Sequence, residues 1–240
     1  MKKHIPNLIT LCNLMCGVAA VIIVISGGAS YSAAAILIFC GAVFDFFDGF
    51  AARLLKAASP IGKELDSFAD LITFGFAPAA MLSAVIQHIL FGVTFFEYSS
   101  TTSLVWQEYV LIITPFIIVP FSALRLAKFN IDERQHHTFI GLPTPACALF
   151  FASLVFYPEL SPLLLAFLSV LFSFLLVAEI PMFSLKFKTF AWHENKVRYV
   201  FLSVSFVALC VFQLAALPAI IGVYIATSVI LYFVEKKKGK

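Results

Sequence analysis

The chain has 240 residues, of which 62% are hydrophobic and only 12% are charged. A soluble domain has roughly 45–50% apolar and about 25% charged residues, so this composition excludes an ordinary soluble enzyme and predicts a protein embedded in the lipid bilayer. The net charge of +3 is small, and basic stretches with interleaved aromatic residues are absent. We therefore expect membrane lipid as a partner and no nucleic acid.

The long apolar runs predict membrane-spanning helices. In lipid every backbone polar group must be satisfied internally, and the runs here are continuous rather than alternating, which favours helices over a barrel. A span needs about 20 apolar residues. In chain order we predict about eight spans, at 6–26, 32–55, 64–90, 106–128, 141–157, 161–181, 197–213 and 216–234. The fold class is therefore an all-α, polytopic transmembrane bundle.

The last two spans are separated by a predicted turn near residues 213–218. A single helix from Tyr199 to Val234 would be about 54 Å long, whereas the hydrocarbon core is only about 30 Å thick. Two antiparallel helices resolve this excess length.

The distribution of charge orients these spans. An even number of spans places both termini on one side, and all 16 basic residues then fall on that side. The opposite side carries only Glu97, Glu108 and Glu159. The positive-inside rule therefore predicts that both termini are cytoplasmic. The basic residues are Lys2, Lys3, Arg53, Lys56, Lys63, Arg125, Lys128, Arg134, Lys186, Lys188, Lys196, Arg198, Lys236, Lys237, Lys238 and Lys240.

Four aspartates interrupt the apolar pattern: Asp45, Asp48, Asp66 and Asp70. An ionised carboxylate in a membrane span costs at least a few kcal/mol, so such residues are functional candidates. The first two are three residues apart and the last two are four apart, so each pair shares a helix face. A turn at 57–60 makes the two helices antiparallel. We therefore expect the four carboxylates to converge on one pocket.

This pocket is predicted to bind divalent cations. Too few basic residues lie at this depth to neutralise four carboxylates, which disfavours a purely structural ion-pair network. Hard cations such as Mg²⁺ or Mn²⁺ take oxygen ligands and bind through carboxylates together with substrate phosphates. Gly49 and Ala52 are small enough for a ligand to approach the backbone, and the guanidinium of Arg53 suits a diphosphate.

The residues from Asp45 to Asp70 follow the pattern D-x-x-D-G-x-x-A-R-x8-G-x-x-x-D-x-x-x-D. This pattern resembles the signature of the CDP-alcohol phosphotransferase family, and every fixed position is present. The resemblance implies a core of six transmembrane helices. Within a single integral membrane domain (1–240), it divides the chain into a catalytic core (1–181) and a C-terminal helical hairpin with a basic tail (182–240).

The same resemblance implies a site and a reaction. The four aspartates would hold two divalent metal ions, Mg²⁺ or Mn²⁺, with Asp66 and Asp70 at the reaction centre and Asp70 as the base. That base would take the proton of an acceptor hydroxyl, which attacks the lipid-bearing phosphorus so that CMP leaves. The CDP-diacylglycerol side of the site would comprise Asn13, Gly49, Ala52, Arg53 and Gly62.

Two further runs point to the acceptor. The first contains Arg125, Lys128 and Asn130, and the second is the Gly-Leu-Pro-Thr-Pro run at 141–145. With the Pro-Asn-x-x-Thr-x-x-Asn run at 6–13, they resemble the phosphatidylserine-making branch of the family. Serine brings a carboxylate, for which an arginine is a natural bidentate partner.

Other interpretations of these runs stay open. Arg125 and Lys128, taken alone, are ordinary positive-inside anchors. Asn7 and Thr10 fit helix caps, whereas Asn13 lies deeper and is predicted to contact the nucleotide.

Two alternative functions remain at this point. The same chemistry would serve glycerol 3-phosphate or inositol phosphate, but pockets for those acceptors should be richer in basic residues. A divalent-cation transporter would favour acids near the bilayer midplane and discontinuous helices, whereas these acids lie towards the cytoplasmic end. The family resemblance also implies a homodimer and a prokaryotic inner membrane, with the active site facing the cytoplasm.

Overall fold

The computed structural model describes residues 4–26, 30–92, 105–132, 140–157, 159–182 and 192–238. Within these ranges the regular structure is helical, apart from one antiparallel β-bridge between Ile140 and Pro181. The predicted all-α fold is therefore confirmed. Several basic residues used to orient the chain lie outside the described ranges, or have side chains that do: Lys2, Lys3, Arg134, Lys186, Lys188, Lys236, Lys237, Lys238 and Lys240.

Ten α-helices follow one another along the described residues. A π-helical segment (Leu71–Phe76) joins α3 to α4, a 3-10 segment (Thr114–Ile117) joins α5 to α6, and another (Gln213–Ala216) separates α9 from α10. The helices are α1 (Ile5–Ile25), α2 (Tyr31–Leu54), α3 (Pro60–Asp70), α4 (Ala77–Phe91), α5 (Trp106–Ile113), α6 (Ile118–Ile131), α7 (Thr144–Leu154), α8 (Pro162–Val177), α9 (Trp192–Phe212) and α10 (Leu217–Lys238).

Five helical stretches in the described part of the chain are long and apolar enough to cross a membrane, and the chain is an integral membrane protein. They are Ile5–Ile25, Tyr31–Leu54, Pro60–Phe91, Trp106–Ile131 and Asn195–Val234. Helices α7 and α8 are apolar but only 11 and 16 residues long. Every predicted span therefore coincides with a helix, while the number of complete crossings stays a prediction.

The last of these stretches is a hairpin rather than one helix. Gln213 has a φ of 52°, which breaks the helix between α9 and α10. The rings of Phe201 and Tyr224 lie 6.1 Å apart, whereas a continuous helix would separate these residues by roughly 35 Å along its axis. The predicted turn near residues 213–218 is therefore confirmed.

The rod formed by α3, the π segment and α4 is the centre of the bundle. In its most apolar part 78% of the residues are buried, against 33% for α1 and 11% for the α9–α10 stretch. On one side it packs against α1 and α2 through small side chains such as Ala20, Ala34 and Ala35, which let helix backbones approach closely in a membrane. On the other side it packs against α6, α7 and α8 through larger ones, including Phe151 and Leu165.

The break between α2 and α3 sets the geometry of the acidic helices. Ser59 caps α3 by accepting a hydrogen bond of 3.1 Å from the Gly62 amide, and Pro60 occupies the first turn, where its missing N–H costs nothing. The helix consequently begins at Pro60, four residues before the predicted start of the span. With this start α3 packs against α1, and its Asp66 carboxylate faces those of Asp45 and Asp48 on α2.

Candidate active site

Three of the four predicted aspartates form a compact cluster. Asp45 and Asp48 project from α2, and Asp66 projects from α3. One carboxylate oxygen from each lies within 4.8 Å of the others. The i,i+3 spacing on α2 and the antiparallel approach of α3 bring them together, as the sequence predicts.

Asp70 lies one turn deeper along α3 than Asp66. Its side chain is 7% exposed, and it lines a cavity together with Asp45 and Asp66. The fourth carboxylate therefore adjoins the cluster of three without being a member of it. The π segment begins at the next residue, Leu71, so the helix becomes irregular directly beyond the deepest acid.

The chemistry of this cluster suits a divalent cation. Asp48 Oδ2 and Asp66 Oδ1 are buried and have no hydrogen-bond partner among the described residues. Carboxylate oxygens that are close together, buried and unpartnered repel one another unless a positive charge lies between them. Hard oxygen ligands in this number fit Mg²⁺ or Mn²⁺.

A first cavity opens on one side of the cluster, between α1, α2 and α3, and is named here the donor cavity. Its volume is about 220 Å³, and Asp48 and Asp66 form part of its wall. Gly49, Ala52 and Gly62 also line it. A methyl group added at Gly49 would meet no atom within 4 Å, so the absence of a side chain there leaves open space beside the acids.

A second cavity opens on the other side, between α3 and α6, and is named here the acceptor cavity. Its volume is about 240 Å³. Asp45, Asp66 and Asp70 form its acidic wall, and Arg125 and Asn130 face them from α6. Asp66 lines both cavities, so the two spaces meet at the acidic cluster.

Arg125 is buried, which excludes its interpretation as a plain surface anchor. Its side chain is only 6% exposed. Nη1 donates a hydrogen bond of 3.2 Å to Thr144 Oγ1, and the guanidinium carbon lies 5.4 Å from the centre of the Phe129 ring. Nε has no partner among the described residues. The guanidinium is therefore anchored through Nη1, whereas its buried Nε donor is unsatisfied within the described part of the chain.

Asn130 belongs to a network that ties α6 to α3. Its Nδ2 donates a hydrogen bond of 2.8 Å to Ser67 Oγ, and Lys63 Nζ donates one of 2.7 Å to the Asn130 carbonyl oxygen. Lys63, like Asp66, lines both cavities. The network fixes the distance between the acidic helix and the helix that carries the arginine.

Three predicted site residues line neither the donor nor the acceptor cavity. Lys128 is exposed and lines neither cavity, because it points to a neighbouring face of α6. Arg53 is exposed on α2, one turn after Gly49, outside the lining of the donor cavity. Asn13 is fully buried beside Asp70, to which its Nδ2 donates a hydrogen bond of 3.4 Å, rather than in the donor cavity.

Asn7 and Thr10 do not cap α1. The helix begins at Ile5, with His4 as its N-cap residue. Thr10 Oγ1 instead donates a hydrogen bond of 3.1 Å to the Pro6 carbonyl oxygen within the helix. Both Asn7 and Thr10 line the donor cavity. The polar run at the start of α1 therefore contributes to the site rather than only to the helix end.

Sequence reasoning missed Lys63, Ser67 and Thr144 as site residues. Lys63 directly follows Gly62 of the signature, and Ser67 directly follows Asp66. Thr144 lies within the Gly-Leu-Pro-Thr-Pro run. Their polar side chains next to these motif positions could have indicated a place in the site. Lys63 was instead counted only among the basic residues that orient the chain.

Comparison with known proteins shows the family of the chain. The profile of the CDP-alcohol phosphatidyltransferase family matches residues 3–182, which is more than half of the chain. The CDP-diacylglycerol–serine O-phosphatidyltransferase of Bacillus subtilis (strain 168) is 35% identical over 178 residues, covering 74% of this chain and 89% of that protein.

Two archaeal relatives extend the similarity. An archaetidylserine synthase of Methanothermobacter thermautotrophicus is 31% identical over 181 residues, covering 73% of this chain and 68% of the relative. A CDP-diacylglycerol–serine O-phosphatidyltransferase of Methanocaldococcus jannaschii is 32% identical over 178 residues, covering 73% and 72%. The family expected from the aspartate pattern is thereby confirmed: the chain belongs to the CDP-alcohol phosphatidyltransferase family.

Proposed function

We propose that the chain transfers the phosphatidyl group of CDP-diacylglycerol to the hydroxyl of L-serine, giving phosphatidylserine and CMP. The observation that carries this proposal is the pair of cavities that meet at Asp66. One is walled by small residues and the other by the buried Arg125. A transfer reaction needs such an arrangement, because donor and acceptor must reach the same reactive centre from different sides. The names of the similar proteins support the same substrates.

The donor cavity receives the nucleotide end of CDP-diacylglycerol. Gly49, Ala52 and Gly62 leave room for cytidine against the backbone. Arg53 lies at the exposed end of α2, where its guanidinium meets the diphosphate. The acyl chains remain in the bilayer, towards the apolar surface of the helices.

The aspartates hold the divalent cations, two ions of Mg²⁺ or Mn²⁺ in this proposal. The unpartnered oxygens of Asp48 and Asp66 support this role, as does the closeness of the carboxylates of Asp45, Asp48 and Asp66. Bound cations supply charge stabilisation for the phosphoryl group. The protein contributes chiefly position and a preorganised electrostatic environment, which dominate phosphoryl transfer.

The acceptor cavity receives serine. Arg125 binds the serine carboxylate, and Asn130 lines the same space. Asp70 takes the proton of the serine hydroxyl as the new oxygen–phosphorus bond forms, and the bond from phosphorus to the CMP oxygen breaks. The network of Asn130, Ser67 and Lys63 keeps the two helices at the spacing that this transfer needs.

The proposal includes a division of the chain and a place in the membrane. Residues 1–181 form the catalytic core and residues 182–240 form an additional hairpin with a basic tail. The family match ends at residue 182, which supports this division. The enzyme lies in a prokaryotic inner membrane, as a homodimer, with its termini and active site facing the cytoplasm.

The experiment is an assay of CMP release by the protein purified in detergent. CDP-diacylglycerol and Mg²⁺ or Mn²⁺ are supplied with L-serine, glycerol 3-phosphate or inositol 1-phosphate. We expect release only with serine, and its loss in Asp70→Asn. Release only with a phosphorylated acceptor would keep the family chemistry but reject serine. No release with any acceptor, from a folded protein that still binds metal, would reject the transferase.

A further inference from the structure

A third cavity lies on the far side of Arg125 from the acids and is named here the outer cavity. It occupies about 310 Å³ between the C-terminal ends of α6 and α8. Its charged lining consists of Arg125, Lys128, Asp132 and Glu179, and Ile140 and Leu176 contribute apolar wall. The lining therefore contains two cations and two carboxylates.

The outer cavity is closed on one side by a tightly docked turn. Gly141 N donates a hydrogen bond of 2.9 Å to the Ile180 carbonyl oxygen, and Leu142 N donates one of 2.9 Å to the Leu175 carbonyl oxygen. Gly141 has a φ of 78°, and any Cβ at this position would collide with the Leu176 carbonyl oxygen. Only glycine fits this turn. The Gly-Leu-Pro run thus fixes the wall between α6 and α8.

Arg125 forms the partition between the outer and acceptor cavities, since it lines both. Its hydrogen bond to Thr144 anchors one guanidinium nitrogen, while its buried Nε has no partner among the described residues. Lys128, which does not reach the acceptor cavity, lies one turn further along α6 on the outer side. Lys128 therefore belongs to the outer cavity and not to the acceptor cavity.

The charges of the outer cavity match one class of small molecule. A free α-amino acid at neutral pH carries both a carboxylate and an ammonium group. Each charge must find a partner when it leaves water. Arg125 and Lys128 suit the carboxylate, and Glu179, from the segment after α8, suits the ammonium. An anion without an ammonium, such as phosphate, would meet the carboxylate of Glu179 and be repelled by it.

We propose that the outer cavity is a loading site for the amino-acid acceptor. The amino acid binds there as a zwitterion, and its carboxylate stays with Arg125 while the molecule passes to the acceptor cavity. Because one guanidinium serves both spaces, the carboxylate is not left unpaired on the way. This inference rests on the proposed function and adds Lys128 and Glu179 to it as residues that determine specificity for the ammonium-bearing acceptor.

The test compares Glu179→Gln and Lys128→Gln with wild type in the CMP-release assay. We expect Glu179→Gln to raise the KM for serine roughly tenfold and to lower kcat much less, because one charge-assisted contact is worth about 1.4 kcal/mol or more. Glycerate has the carboxylate and hydroxyl of serine but no ammonium, and is used as a competitive inhibitor. Its inhibition constant should fall in Glu179→Gln, which removes the repelling carboxylate, and rise in Lys128→Gln.

Glu159→Gln is the matched control. Glu159 is an exposed glutamate before the start of α8, whereas Glu179 follows its end. The control should keep wild-type kinetics. Thermal unfolding in detergent and the KM for CDP-diacylglycerol report on the fold of each variant. A well-folded Glu179→Gln with wild-type KM for serine would overturn the loading site.

Two further outcomes distinguish the loading site from a site for the lipid product and from failure of the proposed function. The serine head group of the lipid product has the same two charges as free serine, so inhibition by added phosphatidylserine is measured as well. If Glu179→Gln weakened only that inhibition, the cavity would serve the product and the loading site would be rejected. If wild type released no CMP with serine, the proposed function would fail before any variant was compared, and this inference with it.

Discussion

Asn13 and Asp70 are 57 positions apart in the chain, yet the side-chain amide of Asn13 donates a hydrogen bond of 3.4 Å to Asp70 Oδ1. Asn13 is fully buried, and its other side faces Gly41, where an added Cβ would lie 3.0 Å from Asn13 Oδ1. Close packing on that side keeps the NH₂ group directed at the carboxylate. Asn13 is thus a positioning residue for the proposed base.

Replacing Asn13 by leucine should lower kcat by roughly tenfold or more. The variant keeps a similar volume but removes the donor, and a hydrogen bond to a charged group is worth about 1.5–3 kcal/mol, where each 1.36 kcal/mol is about tenfold in rate. Steady-state kinetics at saturating substrates measure the effect. Asn13→Asp, which places a further carboxylate beside Asp70, should lose more. An unchanged kcat in a stable Asn13→Leu variant would show that Asp70 needs no such support.

A methyl group at Gly41 should destabilise the protein through Thr73, which the π segment brings against α1 and α2. Thr73 Oγ1 donates a hydrogen bond of 2.9 Å to the Asn13 carbonyl oxygen, and a Cβ at Gly41 would lie 2.5 Å from Thr73 Cγ2. Overpacking of this kind costs about 1–3 kcal/mol. Thermal unfolding of Gly41→Ala in detergent should therefore show a midpoint lower by several degrees.

The control and the rescue for Gly41→Ala are both available in the chain. Gly222→Ala adds a methyl group to helix α10 where no atom lies within 4 Å, so it should be neutral or slightly stabilising. Thr73→Ser removes Cγ2 and keeps the hydroxyl, so the double variant Gly41→Ala/Thr73→Ser should recover part of the lost stability. No recovery would place the strain elsewhere than at Thr73.

Metal binding should depend on Asp66 and not on Glu64, its exposed neighbour on the same helix. Asp66→Asn removes a negative charge from the cluster, whose oxygens lie within 4.8 Å of one another. We expect Mn²⁺ affinity, measured by electron paramagnetic resonance of the free ion, to fall at least about tenfold, as for the loss of one charged ligand. Glu64→Gln should bind Mn²⁺ like wild type. Equal binding by both variants would exclude Asp66 as a ligand.

The hydrogen bond between Arg125 and Thr144 should govern serine binding. Thr144 is fully buried and accepts from Nη1 at 3.2 Å. Thr144→Val preserves the shape but removes the acceptor, so the guanidinium loses its anchor, and the KM for serine should rise several-fold. Thr144→Ser keeps the hydroxyl and should restore most of the affinity. If serine and valine behaved alike, the role of Thr144 would be packing alone.

Much of the acidic site was predictable because it is local in the sequence. Asp45 and Asp48 share a helix face by spacing alone, and the break at Ser59 and Pro60 brings Asp66 to them. Lys128, predicted to contact the acceptor, does not line the acceptor cavity, and the geometry of a single helix explains why. Three residues turn a helix by about 300°, so Lys128 lies about 60° away from Arg125 around the axis. Lys128 therefore shares the outer cavity with Arg125 but does not reach the acceptor cavity.

The sequence by itself determined that the protein lies in the lipid bilayer and that it is helical. It also determined the family and the clustering of the aspartates. Hydrophobic composition admits only a membrane protein, and the spacing of the aspartates acts through neighbouring helical turns. Only the tertiary structure decided that Asp66 lies between the donor and acceptor cavities, that Arg125 is buried between the acceptor and outer cavities, and that Asn13 faces Asp70. These relationships join helices far apart in the chain. They depend on how closely α1 packs on α3 and α6 packs on the irregular π segment after Asp70, and no local periodicity encodes either.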